Sequence, residues 1–548
     1  MASALRIGQQ LAGPARHCPQ VLPDRWNFAP PWCSQRRDSR SGDLIVSLSR
    51  PSPLPSFPAA LSDSRPTTGE WSWLAVILVL ALVLRLVGLD GALWYDEIDT
   101  LIRYVRLPTA DLLGAYDSLN NHMLFSLEAQ LSVALFGESA WALRLPAMLF
   151  GLASIWALWR LARMVCGPRE ALLAALLMAV SYHHVWFSQN ARGYTGLLFF
   201  GLVATQCLLA GLRRPTWRVG LVYGLCLALS MYTHLSSAFL FLAHGLAYLA
   251  VLAVTVLRRR ALPEGVLVRP LGGVLAGVGL TLLLYAPVLG QIGATFGRVQ
   301  SGPPSAAAQA SVAHWQSPLW MITEIAGSLG PVLAPVLPVV LVVLGVAMVS
   351  LARRAPVLPL VLALHVGLTV AILAGLGFRI WPRYFFVDIG LICLMLIHGA
   401  FVIGDAAGAR LAGRRLGALL AVAGILASLV ILPRNYMAPK QDFTGARDYV
   451  EAGRGAGAQV LTIGLTTMPF ADYYAPGWTG IADLAALQAA LAGGRETWVV
   501  YTFPDVLERR HADIFAALAA AGFVKRRYFP GTLSGGGIVV LGAAEDPA

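Results

Sequence analysis

About eleven apolar runs, each long enough to cross a bilayer, constrain this chain more than any other feature. They lie at 71–89, 141–159, 170–187, 194–212, 217–233, 235–257, 271–290, 330–351, 357–377, 384–404 and 415–432. A spanning helix needs roughly 20 apolar residues, and backbone in lipid must satisfy its own polar groups. Packed membrane helices are therefore the expected form. Only 13% of the residues are charged, against about 25% in soluble domains, so an ordinary soluble fold is excluded. A shorter run at 122–136 carries Glu128 and is expected to lie at the surface or to re-enter.

The net charge of +12 comes mostly from arginine, and the arginines punctuate the apolar runs. Arg160, Arg163 and Arg169 follow the second run, Arg213, Arg214 and Arg218 the fourth, and Arg258 to Arg260 and Arg269 the sixth. Arg353 and Arg354 follow the eighth, and Arg410, Arg414 and Arg415 the tenth. Every second loop is basic, which is the positive-inside pattern. It predicts a cytoplasmic N-terminus and a region 433–548 outside, provided that 122–136 does not cross. No basic stripe interleaved with aromatics is present, so nucleic acid is not an expected partner.

Three domains are expected: a disordered tail over 1–70, a transmembrane domain over 71–432, and a small extracytoplasmic α/β domain over 433–548. The tail is rich in Pro, Ser and Arg and cannot bury a core. Cys18 and Cys33 lie in it, and Cys166, Cys207, Cys226 and Cys393 lie in apolar segments. No disulfide framework or CxxC metal site is expected; the four membrane cysteines read as small buried hydrophobes. In the last region Val460–Ile463, Trp498–Tyr501 and Ile538–Leu541 read as strands and 506–521 as a helix.

The polar residues that look deliberate fall in loops assigned to the outer face. The first such loop opens Leu93-Trp94-Tyr95-Asp96-Glu97. Carboxylates at a membrane boundary suit proton abstraction from a hydroxyl, cation binding, or simply a solvated helix start. Asn120-Asn121-His122-Met123 follows in the same loop. The third run ends Ser188-Gln189-Asn190-Ala191-Arg192-Gly193-Tyr194. Arg192 breaks the charge rule and calls for an anionic partner, a lipid phosphate or a first-loop acid. The fifth run ends at His234. Before the tenth comes Arg379-Ile380-Trp381-Pro382-Arg383-Tyr384, two arginines suited to a phosphodiester or pyrophosphate leaving group. Asp388, one turn on, is expected to neutralise Arg383 or Arg192, or to form a structural ion pair. The adjacent His183 and His184 point apart on a helix and read poorly as a metal site.

Leu-Trp-Tyr-Asp-Glu after the first helix, Gln189 to Tyr194 at a helix exit, and Pro382-Arg383-Tyr384 together resemble C-type (GT-C) glycosyltransferases. The nearest kin by these motifs are bacterial relatives of the protein O-mannosyltransferases and the lipid A aminoarabinose transferases, the family 39-like proteins. The resemblance covers roughly 71–545. It implies an all-α polytopic membrane protein of GT-C fold with about 11–13 transmembrane helices. It also implies a polyprenyl-phosphate sugar donor and an outer-face site. Carried over, Asp96 is the catalytic base of an inverting transfer with Glu97 beside it, and Arg192 and Arg383 hold the lipid phosphate. Tyr95, His122, Gln189, Tyr194, His234, Arg379 and Tyr384 are the remaining expected substrate contacts. Relatives often have His-Pro-Pro where this chain has Asn121-His122-Met123, so the prolines are lost.

The expected protein is thus a multi-pass enzyme of the inner (plasma) membrane. Its expected acceptor is a protein, lipid or polysaccharide, and a divalent metal is left open. Two other readings are a transporter or flippase for a lipid-linked sugar and an inactive scaffold. A flippase has no need of Asp96, and the scarcity of charges within the spans weighs against a transporter.

Overall fold

A computed structural model describes residues 33–37, 44–48, 65–301, 317–408 and 413–543. The chain divides into two units, Met1–Ser56 and Phe57–Ala548. In the first, where the sequence reading places no element, β1 (Cys33–Arg37) pairs antiparallel with β2 (Leu44–Leu48). The rest of the tail up to residue 64 lies outside the described residues.

The second unit opens with α1 (Thr68–Leu86), started by a capping box in which Thr67 Oγ1 accepts from the Glu70 amide at 3.2 Å. Such a box satisfies amides that a helix start leaves orphaned. After it come α2 (Tyr95–Thr100), α3 (Thr109–Leu113), α4 (Met123–Phe136) and α5 (Ala140–Val165). Next are α6 (Pro168–Ala179), α7 (Tyr182–Ser188), α8 (Tyr194–Arg213), α9 (Trp217–Thr233) and α10 (Ser237–Leu257). The bundle continues through α11 (Val268–Tyr285), α12 (Leu289–Ser301), α13 (Pro318–Leu333) and α14 (Leu337–Arg354). It closes with α15 (Val357–Gly375), α16 (Ile389–Ala407) and α17 (Gly413–Ile431).

Among the described residues nine helices are long and apolar enough to cross a membrane, and α6 and α7 reach that length only together, as a pair bent by 60°. All eleven apolar runs lie on helices; the 17-residue α9 is the one that falls short of a full span. The run expected at 330–351 begins only at Leu337, because Pro335 and Pro338 interrupt the helix there. The 14 residues of α4 rise about 21 Å, less than the ~30 Å of a hydrocarbon core.

Polar side chains repair the helix breaks. Pro146 sits inside α5 and withholds the amide that would bond Ala142 O; Ser132 of α4 donates to that carbonyl at 2.6 Å. At the bend between α6 and α7, the buried Arg85 guanidinium donates to Ala179 O at 3.1 Å and to Ser188 Oγ at 3.1 Å. The α9–α11 contact rests on glycines. Gly220 and Gly224 face Gly273 and Gly277, and a Cβ on any of the four would strike the other helix's backbone. These are two facing GxxxG motifs, which let helices approach closely where no hydrophobic effect drives them together.

After α17 a short turn, α18 (Arg434–Met437), leads into the C-terminal domain. Its sheet runs β4-β3-β5-β7-β6, with β3 (Gln459–Ile463), β4 (Thr479–Ile481) and β5 (Thr497–Thr502) parallel. β7 (Ile538–Ala543) and β6 (Phe523–Phe529) join antiparallel. Phe443, Phe470 and Trp478 pack one face, and Leu487, Ile514 and Leu518 the other. The three expected strands are present. The helix expected over 506–521 is two, Pro504–Arg510 and Ala512–Ala520, broken at His511. Strand β6 carries Lys525, Arg526 and Arg527; its charge hides it from a hydrophobic reading.

Candidate active site

The loop 89–97 is held by one buried ion pair. Arg144, near the start of α5, donates to Glu97 through Nε (2.7 Å) and Nη2 (2.6 Å). It also donates to the carbonyls of Leu89, Gly91 and Ala92 at 2.7, 2.8 and 3.0 Å. Glu97 further accepts from the amides of Ala191 (2.7 Å) and Trp94 (3.3 Å). Burial alone would raise the Glu97 carboxyl, but the Arg144 charge and these bonds hold it below the ordinary carboxylate range. Glu97 is wholly buried and its oxygens are committed. Of the two acids expected to act together, Glu97 is thus spent on fastening the loop to Arg144 and to the Ala191 and Trp94 amides.

Asp96, one residue earlier on α2, points elsewhere. Its side chain keeps 13% of its surface exposed, and Oδ2 lies 3.4 Å from Nη1 of Arg383, itself 34% exposed. Arg383 sits on the turn after Pro382 and spreads over the Trp381 ring at 5.1 Å. Residues 287 apart in sequence thus face one another.

Beneath them lies a polar layer. Arg192 donates to Thr100 Oγ1 (3.0 Å) and Asn120 Oδ1 (2.6 Å), and its Nη2 is 2.8 Å from His122 Nε2. Asn120 also donates to Asp99 at 2.8 Å, and Thr100 to the carbonyl of Asp96 at 2.8 Å. Arg192 is only 2% exposed, and its Nε has no hydrogen-bond partner among the described residues. No carboxylate within ion-pair distance answers its charge among them either. The ring of His122 packs on Tyr194 at 5.0 Å and His234 at 4.6 Å, and His234 reaches Tyr384 at 6.1 Å. Burial, followed by the Arg192 charge, pushes His122 well below its usual range and His234 down to about 3. Burial and the neighbouring guanidiniums thus disfavour a positive charge on either imidazole. Donors face both nitrogens of His122, Arg192 on one and the Gly193 amide (3.0 Å) on the other. A neutral imidazole accepts at one nitrogen only, so one contact is bonded at a time.

The other expected contacts separate into those inside this cluster and those outside it. Tyr194, His234, Arg383 and Tyr384 belong to it. Arg379 is exposed on the preceding loop. Gln189 does not belong: its amide donates to the carbonyls of Arg85 (2.8 Å) and Val87 (2.6 Å) and accepts from Asn435 (2.6 Å). Tyr95 does not either; its ring packs against the Phe443–Phe470 core. Asp388 lies 2.8 Å from His365 Nδ1 rather than beside Arg383 or Arg192.

Several contributors lie outside the expected site residues. Asp99, on α2, and Asn120, in the loop before α4, carry no mark of their role until folded. Arg144 left a signal, a lone cation four residues into an apolar run. Lys440 and Gln441 lie between α18 and the first helix of the C-terminal domain, Phe443–Gly453. Gln441 accepts from the Tyr95 amide at 3.2 Å and donates to Thr502 Oγ1 (3.2 Å) and Gly536 O (3.1 Å). Tyr474 donates to Leu93 O at 2.9 Å, and Lys440 to Gln189 O at 2.7 Å. The C-terminal domain therefore clasps the segments that carry Asp96 and Arg192.

Residues 123–289 match the family model described as dolichyl-phosphate-mannose-protein mannosyltransferase. That stretch holds Arg192, Tyr194 and His234 but neither Asp96 nor Arg383. No curated protein matches the chain. Among solved structures it is similar to ArnT from Cupriavidus metallidurans in the apo state, at 14% identity and a TM-score of 0.49, covering 87% of this chain and 100% of that one. The archaeal oligosaccharyltransferase AglB from Archaeoglobus fulgidus is 12% identical with a TM-score of 0.45, over 88% of this chain and 75% of that one. The Pmt1-Pmt2 protein O-mannosyltransferase complex of S. cerevisiae gives 15% and 0.35, over 48% and 38%.

Proposed function

We propose that this chain is a membrane glycosyltransferase that moves a sugar from a polyprenyl-phosphate carrier to an acceptor hydroxyl at the extracytoplasmic boundary of the inner membrane, with inversion. One observation carries the reading: a partly exposed carboxylate, Asp96, opposes a partly exposed guanidinium, Arg383, above a second, buried arginine with no acid partner among the described residues. A cationic pocket left short of anions is what a phosphate-bearing substrate completes. The mannosyltransferase family model over 123–289 supports the same chemistry. The alternating basic loops support a cytoplasmic N-terminus and a C-terminal domain outside.

In this mechanism the acceptor hydroxyl gives its proton to Asp96 as its oxygen bonds the anomeric carbon. The bond from that carbon to the phosphate oxygen breaks, and the lipid phosphate leaves with the electron pair. Arg383 takes up the charge that develops there. Its pairing with Asp96 is weak enough at 3.4 Å for a phosphate to take the guanidinium and leave Asp96 free as a base. Arg192, sealed beneath, acts through its field and by holding Thr100 and Asn120. The C-terminal domain covers the site and contacts the acceptor, whose class is protein, lipid or polysaccharide.

The test pairs neighbouring acids in membranes supplied with polyprenyl-phosphate sugar. Asp96→Asn lowers turnover by about 10²–10⁴-fold with the thermal midpoint retained. Glu97→Gln instead costs about 3–5 kcal/mol of stability, because Arg144 is left buried without its partner. Full turnover by Asp96→Asn removes the base, and is the result expected of a flippase for the same lipid.

A further inference from the structure

We propose that Cys166, Glu170 and His398 form a binding site for a divalent transition metal, zinc foremost, far from Asp96. Cys166 and Glu170 flank the turn from α5 to α6, and His398 comes from α16, 228 positions beyond Glu170. The site lies 22 residues along α5 from Arg144, about 33 Å at 1.5 Å per residue.

The donor atoms, one from each residue, all lie within 4.8 Å of one another. His398 Nδ1 faces both partners at once, 2.8 Å from Glu170 Oε2 and 3.7 Å from Cys166 Sγ. Around tetrahedral zinc, with bonds of about 2.0–2.3 Å, neighbouring ligand atoms sit roughly 3.3–3.5 Å apart. The two edges that meet at His398 Nδ1 lie within about half an ångström of such a shell. The ring's other nitrogen is 3.1 Å from Ser350 Oγ of α14, the kind of outer contact that fixes the tautomer of a metal-bound histidine. A thiolate and a carboxylate together neutralise the ion, and sulfur with imidazole selects zinc over magnesium or calcium. A groove of about 440 Å³ lined by Ser350, Arg353 and Arg354 lies on the Ser350 side of His398. Bound metal would pin the α5–α6 turn to α16. Cys166 is then a ligand and not the small buried hydrophobe that its apolar surroundings imply.

The test uses the full chain in detergent, stripped with a chelator and titrated with Co²⁺ or Zn²⁺. One Co²⁺ binds per chain with a thiolate charge-transfer band that is lost in Cys166→Ser and kept in Cys226→Ser. Zinc protects Cys166 of the unmutated chain from alkylation, read by mass spectrometry, and chelator restores its labelling; this arm needs no variant to fold. Labelling indifferent to zinc, or a cobalt band that survives Cys166→Ser, overturns the site and leaves a metal-free hydrogen-bonded knot.

Discussion

Asp96 and Glu97 are chemically near-equal and adjacent, yet a helix turns successive side chains by about 100°. That rotation sends one carboxylate toward Arg383 and the other into the Arg144 fork. Lys440 shows what burial does to a lone ammonium. Packed against the Trp186 ring at 5.3 Å, it is pushed by desolvation down to about 7, with the Glu97 charge offsetting part of the fall. A lysine whose folded value lies below its unfolded value of 10.5 holds fewer protons folded than unfolded between those limits. Stability then rises with pH from about 7 to about 10.5. Thermal midpoints across this window should climb in the unmutated chain and climb less in Lys440→Met; parallel curves would assign the slope to other groups.

At the scale of the element, helices that lipid does not push together are held by shape and by a few polar repairs. The crossing of α9 and α11 shows this best, since backbone meets backbone at four glycines. Gly224→Leu forces side-chain volume against the Gly273 carbonyl, where neither helix has a flexible end to move aside. Overpacking of this kind costs about 1–3 kcal/mol or more. The expected result is a lower thermal midpoint in detergent, while Gly279→Leu, whose Cβ meets nothing within 4 Å, leaves it unchanged. Equal effects at both positions would refute the close crossing.

Over the whole molecule, the C-terminal domain and the membrane bundle are joined through the segment that presents Asp96. Gln441 bonds the Tyr95 amide on one side and β5 and Gly536 on the other. Gln441→Leu removes three hydrogen bonds and leaves the Tyr95 amide without its acceptor, at about 1–3 kcal/mol, while Thr502 Oγ1 and Gly536 O keep their own bond at 2.9 Å. Hydrogen exchange read by mass spectrometry should quicken over 93–97 and 536–538 together. Quickening in the domain alone would separate its seating from the order of the Asp96 loop.

The apolar runs were enough to read a polytopic helical protein, because a bilayer demands that much continuous hydrophobicity and the chain has little else. Alternating basic loops and the Trp-Tyr-Asp-Glu, Ala-Arg-Gly-Tyr and Pro-Arg-Tyr strings drew attention to Asp96, Arg192 and Arg383 from widely separated segments. Which acid faces solvent, whether Arg192 touches a ligand or lies beneath it, and that Gln189 fastens a loop were not legible there. Those outcomes hang on rotation about helix axes and on partners such as Arg144, Asn120 and His398 that arrive from tens to hundreds of residues away. Sequence spacing records neither: a hydrogen bond is decided within a few tenths of an ångström, and only packing brings its two ends that close.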